Sequence, residues 1–158
     1  INNGSILSLL NEIKKCETIE FMGNVSYNDC VAVEYKASFL LLVESFEEYY
    51  LNDTKNAFST KIADSLSIGV PLIALVPESS FVYRYLSTNK CSIIDSSVDG
   101  LIKQFLSLDK NKISEICNNA LNLASKNHNS INNSKKFYDI LNGAKDGINI
   151  WLIGHNNE

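Results

Sequence analysis

The sequence predicts an α/β domain in which helices cover both faces of a parallel β-sheet. Short apolar runs that suit buried strands alternate with segments whose apolar residues recur at helical spacing. The helical segments between the strands are roughly 8 to 16 residues long, a length typical of the connections between parallel strands. The chain of 158 residues, 45% hydrophobic and 20% charged, is large enough to bury a core and has an ordinary globular composition.

Each predicted element rests on a local pattern. The first helix, residues 5–15, carries an apolar stripe at Ile6, Leu9, Leu10 and Ile13. The later elements, in chain order, are a strand at 18–23, a helix at 28–36, a strand at 38–43, a polar loop at 44–57, a helix closed by Gly69, a strand at 70–76, a helix at 78–88, a strand at 91–94, and helices at 97–106, 110–126 and 131–141.

Residues 58–76 contain the most informative pattern. Ser59 or Thr60 can cap a short amphipathic helix by accepting hydrogen bonds from the free N–H groups of its first turn. Gly69 ends this helix, and an apolar run follows as a buried strand. A helix start at the carboxyl edge of a parallel sheet commonly receives phosphate groups. We therefore expect a phosphate-bearing ligand at this helix start.

The same residues resemble the donor-binding signature of retaining glycosyltransferases with the two-domain B-type fold. In the branches that make bacterial capsules and polysaccharides, this signature runs Phe/Pro-x-Lys-x-x-Glu-Tyr-Leu-Ala-x-Gly-Lys-Pro-Val-Ile-Ala. The matching residues here are Thr60-Lys61-Ile62, Asp64-Ser65-Leu66, Gly69 and Pro71. Segments 19–25, 36–43 and 89–95 resemble neighbouring strands of the family, so that the resemblance covers roughly residues 5–142.

The resemblance implies a Rossmann-like donor domain over residues 1–142, one half of a two-domain glycosyltransferase fold, without the family's opening strands. Residues 143–158 would be a linker and a strand, which either begins a further domain or fills the place of the missing strand. The implied reaction moves a hexose or related sugar from a nucleoside diphosphate sugar to an acceptor hydroxyl, with retention. An acceptor-binding domain or partner module would complete the enzyme, and neither a metal nor another cofactor is required.

Residues near the predicted helix start receive candidate roles. Ser59, Thr60 and Lys61 would contact the diphosphate, and Lys61 would also be catalytic because its positive charge can stabilise the leaving group. Asp64 replaces the glutamate with which the family binds the ribose hydroxyls, and its side chain is one methylene shorter. A plain helix cap or a solvated side chain would explain each of these residues equally simply.

Further candidates follow from their position near strand ends. Gly23 and Asn24 end a predicted strand, where glycine permits close approach of a base or ribose. Asn56 replaces a second glutamate that contacts the donor sugar in many relatives, and an amide can still bind hydroxyls. Glu44 and Glu47 are rival sugar contacts because they follow a predicted strand. The alternatives are a tight turn and solvated loop side chains.

Charge and hydropathy exclude several classes of partner. The net charge of −4 and a single arginine, Arg84, argue against a nucleic-acid surface. The sequence contains no recognisable secretory leader and no apolar run near the roughly 18 residues that span a bilayer. We expect a cytoplasmic protein that needs no membrane span, while peripheral association with the inner face of a membrane stays open. Because Ile1 stands where a start methionine is usual, the sequence is consistent with a fragment.

Cysteine and histidine chemistry is not expected. The four cysteines form no Cys-x-x-Cys pair and are interpreted as buried or half-buried small hydrophobes: Cys16, Cys30, Cys91 and Cys117. His128 and His155 lack a catalytic partner at a readable spacing. The main rival hypothesis is a non-catalytic Rossmann-like binding module whose donor site is degenerate at Asp64 and Asn56. A nucleotide-sugar epimerase-like enzyme is a third hypothesis.

Overall fold

The computed structural model describes residues 3–48, 50 and 55–145. The chain divides into two compact units, Ile1–Lys36 and Ala37–Glu158. The first unit contains helix α1 (Asn3–Lys15) and helix α2 (Tyr27–Glu34). Helix α2 starts one residue before its predicted boundary because Ser26 caps it, accepting a hydrogen bond of 3.2 Å from the Asp29 backbone N–H.

The predicted strand at residues 18–23 is wrong. The segment between α1 and α2 is irregular, and Gly23 adopts a φ of +70°. A strand persists only where its backbone N–H and C=O groups pair with a neighbouring strand, and the described part of the first unit contains no such neighbour. Local β-propensity in this segment is therefore not enough to form a strand.

The second unit is a Rossmann-like α/β fold, as predicted. Its three parallel strands lie in the order β1-β2-β3, with Leu40 opposite Leu72 and Ile73 opposite Ile93. The strands alternate with helices, as a parallel sheet requires. The elements of this unit are β1 (Leu40–Val43), α3 (Thr60–Ile68), β2 (Leu72–Leu75), α4 (Phe81–Asn89), β3 (Ile93–Asp95), α5 (Val98–Leu106), α6 (Lys110–Asn127) and α7 (Ser130–Lys145).

Helices lie on both faces of this sheet because successive strand residues point to opposite sides. The larger core packs one sheet face against α3, α4 and α6; its fully buried side chains include Ile62, Leu66, Leu72, Val82 and Leu86. The smaller core lies on the other face, where Leu101 of α5 packs with Ile93 and Ile116. The prediction of helices on both faces of the sheet is confirmed.

Local signals set the helix ends of this unit. Helix α4 starts after Ser80, whose hydroxyl accepts a 3.0 Å hydrogen bond from the Tyr83 N–H, so the predicted start at residue 78 is early. Ser97 caps α5 and Asp109 caps α6 in the same way. Gly69 ends α3 with a φ of +79°, as its position after the amphipathic stretch predicts.

The second sheet face is only partly covered by the described residues. Leu41 is 70% exposed and Val43 is 56% exposed, although the apolar run of β1 predicts burial on both sides. They form one wall of an apolar groove of about 420 Å³, and exposed side chains of α5, including Phe105 and Leu106, form the other. A contiguous apolar surface of this kind is unusual on a monomer.

Other sequence predictions have mixed outcomes. Cys91 is buried, and Cys16 and Cys117 are half-buried, but Cys30 is exposed, so the expectation of burial is wrong for Cys30. The predicted strand in residues 143–158 lies almost wholly outside the described residues, which end within α7 at residue 145. No helix in the described ranges combines the length and apolar character needed to cross a bilayer.

Candidate functional site

The carboxyl edge of the sheet brings together the segments that follow the three strands. The Glu44 N–H donates a 3.1 Å hydrogen bond to the Leu75 carbonyl, which joins the segment after β1 to the end of β2. The Ser96 hydroxyl donates to Glu78 Oε1 at 3.3 Å, which joins the segments after β2 and β3. The helices that follow the strands begin on this side, so their N–H groups face the same edge.

Helix α3 differs from its neighbours in how it begins. Ser59 occupies the N-cap position, but its side chain forms no capping hydrogen bond, whereas the caps of α4, α5 and α6 all do. Only the Ser59 backbone carbonyl takes part, accepting a 3.1 Å hydrogen bond from the Ile62 N–H. The predicted cap position is correct, and the predicted side-chain hydrogen bond is absent. The start of α3 therefore keeps N–H groups that its cap does not use.

The polar residues of α3 point to solvent. Thr60, Lys61 and Asp64 are all exposed, while Ile62 and Leu66 on the opposite side of the helix are buried. Lys61 forms no ion pair within the described ranges, where the salt bridge present joins Lys112 and Glu115. The fold thus places these three predicted contacts on the accessible side of one helix start.

Glu44 is the predicted sugar contact with the most unusual environment. Its Oε2 atom is buried and has no hydrogen-bond partner among the described residues. Burial raises the pKa of this carboxyl above its ordinary value, because removal from water penalises the charged form. A buried carboxylate oxygen without a donor is costly, and a ligand hydroxyl at this position would supply one.

The other predicted sugar contacts are exposed. Glu47 lies three residues beyond Glu44, and its backbone N–H donates to the Ser45 hydroxyl at 3.2 Å. Asn56 lies in the segment leading to α3. That segment is attached to the next helix start, because the Phe81 N–H donates a 2.9 Å hydrogen bond to the Lys55 carbonyl.

Gly23 and Asn24 belong to the first unit, in its irregular segment, and both are exposed. Glycine at position 23 is explained by its positive φ, since a side chain built there would meet no heavy atom within 4 Å. The strand end on which their predicted role relied is not present. The other predicted contacts, from Glu44 to Asp64, all belong to the second unit.

A carboxylate at the same edge was not found by sequence reasoning. Asp95 Oδ1 accepts hydrogen bonds of 2.9 Å from both the N–H and the hydroxyl of Ser97, and Oδ2 accepts one of 3.1 Å from Gln104. Burial alone would raise the pKa of Asp95, but these hydrogen bonds outweigh it and lower the pKa. The Asp-Ser-Ser run before an apolar helical stretch was a local signal for this turn.

A ring cluster behind the start of α3 was also missed. Phe58 stands directly before Ser59, and its ring contacts those of Tyr85 and His128. The Tyr85 hydroxyl lies 2.8 Å from His128 Nε2. No partner for His128 was expected from the sequence, because Tyr85 is 43 residues away and no local spacing indicates the pair.

Comparison with known proteins identifies no relative: no family model, curated protein or solved structure matches the chain at a significant level. In the ranges that the structure describes, no three or more His, Cys, Asp or Glu side chains group where they could hold a metal ion.

Proposed function

We propose that the second unit binds a nucleoside diphosphate sugar and serves as the donor-binding half of a retaining glycosyltransferase. One observation carries the proposal. The carboxyl edge of a parallel sheet presents a helix start whose cap leaves N–H groups unused, and Glu44 at the same edge has a buried oxygen that meets no donor among the described residues. The first feature suits a phosphate group and the second suits a hydroxyl group. A sugar nucleotide carries both.

The diphosphate would bind at the beginning of α3. The N–H groups there carry partial positive charge, and Thr60 adds a hydroxyl. Lys61 is a cation in the first turn of a helix, where the dipole disfavours positive charge, and a bound anion would compensate for this. As the sugar leaves, negative charge grows on the diphosphate, so Lys61 would stabilise the transition state more than the ground state.

The sugar would lie toward Glu44. A hydroxyl of the donor sugar can donate a hydrogen bond to the buried Oε2, and removing both groups from water strengthens their interaction. Because burial raises the pKa of this carboxyl, Glu44 holds its proton to a higher pH than an exposed glutamate and can then donate as well as accept. Asp64, one turn along α3 from Thr60, would accept hydrogen bonds from the ribose hydroxyls.

The complete reaction requires parts beyond this unit. An acceptor-binding domain or partner module would bring the acceptor hydroxyl to the sugar. A cytoplasmic location, with peripheral contact to a membrane that carries the acceptor, fits this role. The chain would then be one part of a hexosyltransferase.

Nucleotide titration tests the proposal. UDP, GDP and ADP are added separately to the protein, and the unfolding temperature and Kd are recorded. One nucleotide should bind preferentially, and at 100 times its Kd it should add about 2.7 kcal/mol to the unfolding free energy. A folded sample that responds to none of the three contradicts the proposal.

Lys61→Ala refines the test. We expect weaker diphosphate binding by about tenfold, or ~1.4 kcal/mol, with little change in unfolding free energy because Lys61 is exposed. Lys103→Ala is the matched control, since Lys103 is an exposed lysine in the last turn of α5. Equal nucleotide affinity in both variants would show that Lys61 does not contact the diphosphate. It would not affect the conclusion that the protein binds a nucleotide.

A non-catalytic binding module is the second candidate, and the apolar groove between β1 and α5 favours it. A groove with Leu41, Phe105 and Leu106 exposed is a surface that protein partners cover. Asn56 and Asp64 would then mark a donor site that no longer binds sugar nucleotides. The same titration separates the candidates, because only the transferase hypothesis requires nucleotide binding.

A further inference from the structure

Phe58 is held by three rings, two from α4 and one from the end of α6. Its centroid lies 5.9 Å from that of Phe81, 5.1 Å from that of Tyr85 and 5.4 Å from that of His128. The two α4 rings meet Phe58 edge to face, whereas His128 lies nearly parallel to it, with 9° between the planes. All three distances are favourable for ring pairs. The residue directly before the cap of α3 is therefore fixed by its side chain.

Hydrogen bonds fix the His128 ring in turn. The Asn127 amide donates to the Tyr85 hydroxyl oxygen at 3.3 Å, and that oxygen lies 2.8 Å from His128 Nε2. Because Asn127 already occupies one acceptor position of that oxygen, we assign the Tyr85 hydrogen to the contact with Nε2. His128 then accepts at Nε2 and carries its hydrogen on Nδ1, which is the neutral form of the ring.

Helix α6 connects this cluster to the whole length of α3. The two helices pack together, and the Leu121 side chain lies 3.3 Å from the position that a Cβ on Gly69 would occupy, at the end of α3. Seven residues later, His128 ends α6 and lies against Phe58, at the beginning of α3. The helices therefore run antiparallel, and the C-cap residue of α6 supports the first residues of α3.

We propose that His128 is a positioning residue that holds the beginning of α3, at Ser59 and Thr60, through its stacking on Phe58 and its hydrogen bond with Tyr85. The inference rests on the proposed function in assigning a purpose to this arrangement: the fixed helix start receives the diphosphate. His128 acts through Phe58 and does not itself contact the ligand.

The environment of His128 makes this support sensitive to pH. Burial lowers the pKa of the ring, and no charged group contributes to the shift. The groups beside it on neighbouring elements are the Tyr85 phenol on α4, the Asn127 amide on α6 and the Phe58 ring. Ser67, Ser125 and Ser130 line the groove beside it. Protonation turns Nε2 from an acceptor into a donor and places a charge on a ring that burial shields from water, so acidification should weaken the support.

Hydrogen exchange tests the support without any ligand. His128→Ala should speed amide exchange in the first turns of α3, residues 62–66, by about tenfold more than it speeds exchange in β2. Tyr85→Phe keeps the ring and removes the hydroxyl, and it should give a smaller change of the same kind. Ser125→Ala, an exposed change beside the ring, is the control. Exchange that rises equally in α3 and β2, or not at all in α3, overturns the proposal.

Nucleotide affinity tests the purpose of the support. His128→Ala should weaken binding of the preferred nucleoside diphosphate, while His128→Gln, which keeps an acceptor and cannot be protonated, should restore most of it. Below pH 6.5 the wild-type affinity should fall relative to that of His128→Gln. If the wild type binds no nucleotide, the proposed function fails, and the exchange data still decide whether His128 supports α3. If His128→Ala speeds amide exchange in α3 but leaves nucleotide affinity unchanged, His128 supports the helix but not diphosphate binding.

Discussion

The Tyr85 hydroxyl and His128 Nε2 lie 2.8 Å apart, across 43 residues of sequence. This contact joins α4 to the end of α6, and both side chains also pack on Phe58 before α3. Three helices that contribute to the larger core are thereby connected at the carboxyl edge of the sheet. Burial disfavours the charged form of the imidazole, which gives this contact a measurable dependence on pH.

Stability should rise with pH in the range governed by His128. Its pKa is lowered in the folded protein, so the unfolded chain binds more protons as the pH falls below 6.5. The contribution of His128 is fully present above this value and is lost as the pH falls through the lowered pKa. Urea unfolding of wild type and His128→Gln from pH 5 to pH 8 measures it. His128→Gln should lose the part of the pH dependence of the unfolding free energy that His128 contributes. Identical plots of unfolding free energy against pH for the two proteins would contradict a lowered pKa at His128.

Replacing Gly69 should destabilise the end of α3. Its φ of +79° costs a residue with a Cβ about 1–2 kcal/mol, and the Leu121 side chain would have to move as well. Gly69→Ala should therefore lower the urea midpoint with an unchanged m-value.

Gly143→Ala is the matched control for that change. Gly143 lies within α7, and a Cβ there meets no heavy atom within 4 Å. Alanine in a helix interior is favoured over glycine by about 0.5–1 kcal/mol, so this variant should gain stability. The unfolding free energy should fall in Gly69→Ala and rise in Gly143→Ala. A rise in both variants would show that position 69 tolerates a side chain.

The parts of the fold that were predicted depend on signals between neighbouring residues. Gly69 ends α3 through its own backbone conformation, and an apolar run directly after it forms β2. The strand expected at residues 18–23 depended on a distant partner, which the described part of its unit does not contain. The pairing of Tyr85 with His128 likewise exists only after helices α4 and α6 have packed. Sequence patterns therefore predicted the helix starts better than the side-chain contacts behind them.

The burial of Glu44 lay beyond sequence reasoning for the same reason. Its place after a strand was readable, and so it was a candidate sugar contact. The burial of its Oε2, which has no partner in the part of the chain that the structure describes, depends on how the segment after β1 lies against the end of β2. There the Glu44 N–H donates to the Leu75 carbonyl. Ser59 is a similar case: its position as the N-cap of α3 was predicted, but the lack of a capping hydrogen bond from its side chain was not.

Gly100 in α5 should not tolerate a side chain while Asp95 keeps its position. A Cβ there would overlap the Asp95 carboxyl group, which Ser97 and Gln104 hold by hydrogen bonds. Gly100→Ala should therefore lower the unfolding free energy by about 1–3 kcal/mol, despite the higher helix propensity of alanine.

A double-mutant cycle isolates that overlap. In a background of Asp95→Ala the obstacle is absent, so the added Gly100→Ala change should become neutral or stabilising. The two substitutions are thus expected to couple by more than about 0.5 kcal/mol in urea unfolding. Additive effects would show that the carboxyl group moves aside at little cost.

Glu44 should oppose stability as the pH rises. Because burial raises its pKa in the folded protein, the folded state binds the extra proton, and stability falls with pH from about the ordinary value of 4.5 upward through the raised pKa. Glu44→Gln removes the charge at nearly constant shape, so it should be at least as stable as the wild type at pH 7. Glu47→Gln, at an exposed glutamate in the same segment, should leave the curve unchanged.

The same pair of variants tests the proposed sugar contact. If a donor-sugar hydroxyl binds Oε2, Glu44→Gln should bind a nucleoside diphosphate sugar more weakly than the wild type, by about tenfold, and should bind the nucleotide alone with unchanged affinity. Calorimetric titration of both ligands against both variants gives the comparison. An equal loss of affinity for the two ligands would place Glu44 near the nucleotide. No loss for either ligand would exclude Glu44 from the donor site. The pH dependence of stability tests the burial of the carboxyl group separately, so a negative binding result remains decisive.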